Sequence, residues 1–89
     1  MDRDKLITDN MNLVYGVYND WFKNTYFYID KEDMIGEGML ALVSAANTYK
    51  ENKGKFSTYA YVCIKNAMIN YSNKEFKHKN NIRLFSEEV

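Results

Sequence analysis

The residues best suited to contact chemistry lie between Gly54 and Tyr71, in the stretch GKFSTYAYVCIKNAMINY. Ser57 stands where a helix N-cap would, and apolar residues recur at Ala60, Cys63, Ile64, Ala67, Met68 and Tyr71. That three-to-four spacing predicts a helix with one buried face. Thr58, Tyr59, Val62, Lys65, Asn66 and Asn70 are left for the other side. A solvated helix face is mostly Glu, Lys, Arg and Gln, whereas this one combines aromatic, amide and cationic groups. It is a face made to touch another molecule.

The rest of the chain must position that face. A chain of 89 residues makes one domain and leaves too little interior for an enclosed active site with a lid. The absence of proline and a count of four glycines favour helices joined by short connections. One cysteine excludes an internal disulfide, in keeping with a reducing cytosol. The polar opening MDRDKLITDN lacks the apolar core of a signal peptide, and no apolar run approaches the roughly 20 residues of a membrane span. A cytoplasmic address without membrane contact is expected.

Net charge is zero but unevenly spread. Residues 1–49 carry four Lys/Arg against eight Asp/Glu, whereas residues 50–83 carry eight against two. A basic half with interleaved aromatics suits a polyanion, which the acidic half would repel. Two surfaces with two partners is the simplest reading. The plainer one, solvated charge without consequence, stays open at this level.

Taken in order, Arg3 to Ile7 is expected to form a short helical turn led by Asp2 or Asp4. A longer amphipathic segment follows, with Met11, Val14, Tyr15, Tyr18, Trp21 and Phe22 at helical spacing and Asp9 or Asn10 as its cap. Its aromatics are assigned to the core, and Gly16 is taken as a point of close helix packing. Lys23 to Ile29 breaks the pattern, and its run Tyr26-Phe27-Tyr28-Ile29 is either a loop packed on the bundle or an exposed contact patch. Asp30 then caps a third helix, with Asp33 in the place of a capping-box glutamate. Ile35, Met39, Leu42, Ala45, Ala46 and Tyr49 form its buried stripe, while Asp33, Glu37, Leu40 and Ser44 lie opposite. Asn47 to Lys55 is a polar, basic connection turning at Gly54. Beyond Tyr71 the basic, asparagine-rich run Asn73 to Arg83 is expected to fray as helix near Phe76. The expected division is a helical domain over 1–76 and a basic linker or tail over 77–89, which either leads toward a missing or separately encoded second domain or is a short natural terminus.

Assembled, the pattern NLVYGVY, EDMIGEGMLALVSAANTY and KGKFSTYAYVCIKNAMINY resembles region 2 of the bacterial sigma factors, the subunits that direct RNA polymerase to promoters. The resemblance runs from about Asn12 to Asn73. It implies an all-α fold, a compact bundle of three main helices plus a short N-terminal one. It also implies that the helix opening at Glu32-Asp33 docks on a coiled coil of the largest subunit of core RNA polymerase, through Asp33, Glu37, Met39, Leu42 and Val43. An acidic-then-apolar face suits a basic helical hairpin, charge setting orientation and apolar area holding it. Gly36 and Met39 stand where the family often has Gln and Asn.

The resemblance further implies that Lys55 onward opens and reads the minus-ten promoter element, capturing a flipped base of the non-template single strand. The implied DNA contacts are Lys55, Phe56, Thr58, Tyr59, Val62, Cys63, Lys65, Asn66 and Asn70. Phe56 and Tyr59 match the family's aromatic positions and would stack on bases, at about 1–3 kcal/mol each. Val62 and Cys63 fall where primary sigma factors carry a tryptophan pair, which implies an alternative-type factor with weaker melting. Each residue also has a plainer role. Phe56 can be a hydrophobic staple packing toward Tyr61, Cys63 a small buried hydrophobe, and Lys74, Lys77, Lys79 and Arg83 a solvated tail. His78 has no second histidine or cysteine nearby to make a metal site.

The expectation is therefore a non-catalytic domain without cofactor or metal, since no cluster of His, Cys or carboxylates converges on a pocket. An anti-sigma factor or a separately encoded second sigma domain are further candidate partners. Two alternatives stand beside it: a sigma-like adaptor or antagonist that binds polymerase without reading DNA, and a stand-alone helical DNA-binding module.

Overall fold

The computed structural model describes residues 2–23 and 29–88, the side chains of Lys53 and of residues 78–88 excepted. Among them the elements are α1 (Arg3–Asp9), α2 (Met11–Trp21), α3 (Lys31–Thr48), a single 3-10 turn (Glu51–Lys53) and α4 (Phe56–Glu88), with no strand. The all-α expectation, three main helices and a short N-terminal one, holds.

Helix boundaries follow local chemistry. Asp2 caps α1, its carboxylate accepting from the Asp4 and Lys5 amides at 3.0 and 3.3 Å. Asp30 caps α3 in the same way, accepting from the Glu32 amide at 2.7 Å, with Glu32 and Asp33 at the positive end of the helix dipole. Asn10 precedes α2 but makes no side-chain cap bond, because its amide reaches back to the Leu6 carbonyl at 2.8 Å. Gly54, at φ 89°, turns the chain between α3 and α4, a conformation that favours glycine. The α4 ladder opens with the Tyr59 amide donating to the Lys55 carbonyl at 3.1 Å. Ser57 therefore lies inside the first turn of α4 and is not its cap.

The core forms where α2, α3 and α4 meet. Val14, Val17 and Phe22 come from the α2 segment, Met34, Ile35, Leu42, Ala45 and Ala46 from α3, and Phe56, Ala60, Ile64 and Met68 from α4. The α4 stripe repeats every fourth residue and continues to Ser72, which is buried with its hydroxyl donating to the Ile69 carbonyl at 2.8 Å. Cys63, Ala67 and Tyr71 border this stripe and are only partly covered. The α2 assignment also shifts. Met11, Tyr15 and Trp21 are exposed, and Val17 takes the inward place between Val14 and Phe22. The helix ends at Trp21, so Phe22 in the following turn drops into the core while the amphipathic Trp21 stays at the rim.

The close approach is at Gly38. A Cβ there would lie 2.6 Å from the Met68 terminal methyl, 2.7 Å from Val14 Cγ1 and 3.3 Å from Ile64 Cγ2, so three helices share this one bare position. Gly16, expected to fill that role, has nothing within 4 Å. The run Tyr26 to Tyr28 lies outside the described residues. Past Tyr71, α4 does not end near Phe76 but continues as helix to Glu88. After Gly54 there is neither glycine nor proline to stop it.

The two glycines give opposite expectations. Gly16→Ala should stabilise the fold by up to about 1 kcal/mol through helix propensity alone. Gly38→Ala should destabilise it by about 1–2 kcal/mol, because overpacking at Val14 and Met68 outweighs the same propensity gain. Urea denaturation of the two variants measures both.

Candidate nucleic-acid and partner interfaces

Two faces result from this packing. With Phe56, Ala60, Ile64, Met68 and Ser72 turned inward, Thr58, Val62, Asn66 and Asn70 form an exposed ridge at four-residue spacing along α4. Lys55 is exposed at its start. The ridge has two flanks. Toward α3 lie the half-buried Tyr59 and Cys63; toward α2 lie Tyr61 and Lys65.

The α3 flank is an aromatic corner. The Tyr59 hydroxyl shares a hydrogen bond with that of Thr48 at 2.8 Å, and its ring lies 5.8 Å from that of Tyr49. Tyr49 packs edge-on against Phe56 at 5.1 Å and donates its hydroxyl to the Gly54 carbonyl. Phe56 is only 7% exposed, so it supports this corner from the core instead of offering a stacking surface. Phe56 is the first residue of α4 and packs on Tyr49, so it is a core residue and not the expected staple, which would precede the cap. Tyr59 is left as the accessible ring of the expected pair.

The α2 flank was not anticipated. Trp21 donates its indole N–H to the Tyr61 hydroxyl at 2.9 Å, and Tyr61 in turn donates to an Asp20 carboxylate oxygen at 3.0 Å. The Lys65 ammonium lies 4.9 Å from the centre of the Trp21 ring. Leu13, Ser57, Thr58, Tyr61 and Val62 line an open groove where α2 meets the start of α4. Helical periodicity alone places Trp21 inside; its polar N–H and its place at a helix end are the features that put it at the rim.

The second face is on α3. Asp33 is exposed and Glu37 half-buried, followed by Leu40 at 67% exposure and Val43, also exposed. Met39 is half-buried at the edge of this face. Leu42 is 0% exposed, packed in the core, and cannot belong to a contact surface. The apolar part of the face is therefore Leu40 with Val43. Tyr71 of α4 ties into its acidic end. Burial pushes the Tyr71 hydroxyl above its ordinary value of 10.0, and Glu75, Asp33, Glu37 and Asp30 push the same way.

Residues 6–76 match the family described as Sigma-70 region 2. The chain belongs to the sigma-70 region 2 family. This region 2 domain is 35% identical over 83 residues to the RNA polymerase sigma-28 factor of Bacillus thuringiensis subsp. kurstaki, covering 92% of the chain and 34% of that protein. It is 34% identical over 67 residues to RNA polymerase sigma factor SigA of a Nostoc species, covering 74% of the chain and 16% of the relative. SigA1 of Synechococcus elongatus shows the same identity and coverage. The domain thus spans a minor part of each relative. No solved structure matches it significantly.

Tyr71 supplies a test of the acidic end. Below pH 10 the phenol is neutral whether folded or unfolded and contributes nothing to pH dependence. As pH rises above 10, the unfolded chain releases this proton first, so the native state loses stability until its own raised pKa is passed. Tyr71→Phe should reduce that loss, and the transition missing from its 295 nm titration should be one above pH 10.

Proposed function

We propose that this domain directs RNA polymerase to promoters as region 2 of an alternative-type sigma factor. The α3 face binds core polymerase, and the α4 ridge takes the unwound non-template strand of the minus-ten element. The observation that carries the reading is that one family-matched segment, residues 6–76, holds both faces, open to solvent and of opposite character. On α3, Asp33 and Glu37 lead into Leu40 and Val43, a charge-then-apolar order that suits a basic helical hairpin such as a coiled coil of the largest subunit. On α4, aromatic, amide and cationic groups share a ridge without a carboxylate between Lys55 and Asn70.

The mechanism follows from the physics of single strands. An unstacked base gains about 1–3 kcal/mol by stacking on an aromatic ring, while cations follow the phosphates. Tyr59, held by Thr48 and braced by Tyr49, is the ring for a captured base. Asn66 and Asn70 offer paired donor and acceptor groups to base edges or backbone, and Lys55 and Lys65 neutralise phosphate. Val62 and Cys63 supply no aromatic wedge against the duplex edge, so the domain captures bases more than it forces them apart. RNA synthesis belongs to the polymerase, and the domain performs no chemistry of its own. It works in the cytoplasm with that enzyme.

Two substitutions separate the faces. Tyr59→Ala should reduce promoter opening by the holoenzyme about tenfold, read by permanganate reactivity of unpaired thymines, with core affinity unchanged. Glu37→Lys should weaken core binding in a competition assay. If Tyr59→Ala opens promoters normally, the captured base does not lie on Tyr59. If Glu37→Lys binds core as the parent does, the docking face is elsewhere.

A further inference from the structure

We infer that Trp21 of α2 is a second stacking platform for an unpaired base, so that the nucleic-acid surface extends from α4 onto the end of α2. The inference rests on the reading of α4 as the strand-binding helix and adds to it a residue from a different helix.

Four observations lead there. Trp21 is 49% exposed, although its one polar atom is already satisfied inside the protein by Tyr61. What remains open is therefore mainly hydrocarbon ring, unfavourable in water unless something covers it. The ring is also held in place: Tyr61 accepts from it and donates to Asp20, fixing the indole by a two-bond relay. A platform already fixed loses little entropy when a flat ligand settles on it. Third, the Lys65 ammonium stands over one face of the ring, 4.9 Å from its centre, so a phosphate-seeking cation caps the indole there and a base would settle on the rest of its exposed surface. Fourth, Tyr61 and Lys65, the two residues that contact the indole, flank Val62 and Asn66 of the exposed ridge on α4.

The occupant this chemistry favours is an unstacked base of a single strand. Stacking needs a rigid aromatic face, which every base can use, and the neighbouring phosphate needs a cation. Asp20 repels phosphate, whereas Lys65, over the indole, is the cation available to the strand's backbone.

The test uses holoenzyme assembled from core polymerase and the chain carrying Trp21→Ala, Trp21→Phe or Tyr59→Ala. The probe is a fluorescein-labelled, A/T-rich single strand of about 12 nucleotides, with binding read by anisotropy and core affinity measured in parallel. Trp21→Ala should weaken binding about tenfold, Trp21→Phe should retain most of it, and neither should alter core affinity. Parent-like binding by Trp21→Ala beside weakened binding by Tyr59→Ala would overturn the Trp21 platform and leave the α4 reading standing. Parent-like binding by both would overturn both. A loss of core affinity in Trp21→Ala would make this surface a protein contact. An equal loss in Trp21→Ala and Trp21→Phe with lowered melting temperatures would make Trp21 structural; either result overturns the proposal.

Discussion

The missing side chain at Gly38 is the constraint on which the architecture turns. Val14 from α2 and Met68 from α4 occupy the space that a Cβ at Gly38 would need, with Ile64 just behind. This contact sets the depth at which α4 lies against α3 and, through Met68 and Ile64, the rotation of α4 about its own axis. Once that rotation is fixed, the four-residue stripe from Phe56 to Ser72 must point inward. Thr58, Val62, Asn66 and Asn70 must then point out. The contact ridge is a consequence of how the core closes, and α3 turns its acidic and apolar face away from the same closure.

Much of this was legible from residue types and spacing. Asp30 caps α3 as expected because a short acceptor before a periodic run has few other uses, and the need for glycine at Gly54 followed from its place between two helical patterns. What failed did so for identifiable physical reasons. Periodicity marks a stripe about one residue wide on either side, so it passes over Val17 beside Tyr18, although it does set Leu42, in the buried stripe, apart from Leu40 opposite it. Nor does it distinguish a glycine that permits close packing from one that does not. Gly16 and Gly38 differ only in what lies across from them, which is information held by residues distant in sequence. Phe56 and Trp21 both depart from expectation, the first buried and the second at the rim, since each sits at a helix end where a turn of backbone decides whether the ring faces in or out.

The two faces also divide electrostatic labour. The α3 face gathers Asp33 and Glu37 near Glu75 and Tyr71, while cations on the α4 ridge begin at Lys55 and continue at Lys65. A polyanion is repelled from the first and drawn to the second, and a basic protein surface shows the reverse preference. On the proposed reading, a single small bundle would hold polymerase and DNA at once without either competing for the other's site. With no aromatic residue at Val62 and Cys63, the rings of this surface are at its flanks, Tyr59 toward α3 and Trp21 at the rim of α2.

The central claim is that the α4 ridge reads an unpaired strand. Its most direct measurement compares holoenzyme affinity for the non-template minus-ten single strand, the same sequence as duplex, and a scrambled single strand of equal composition. The account predicts tightest binding to the native single strand, with a clear margin over both others. Equal affinity for the native and scrambled strands, or a preference for the duplex, would contradict it.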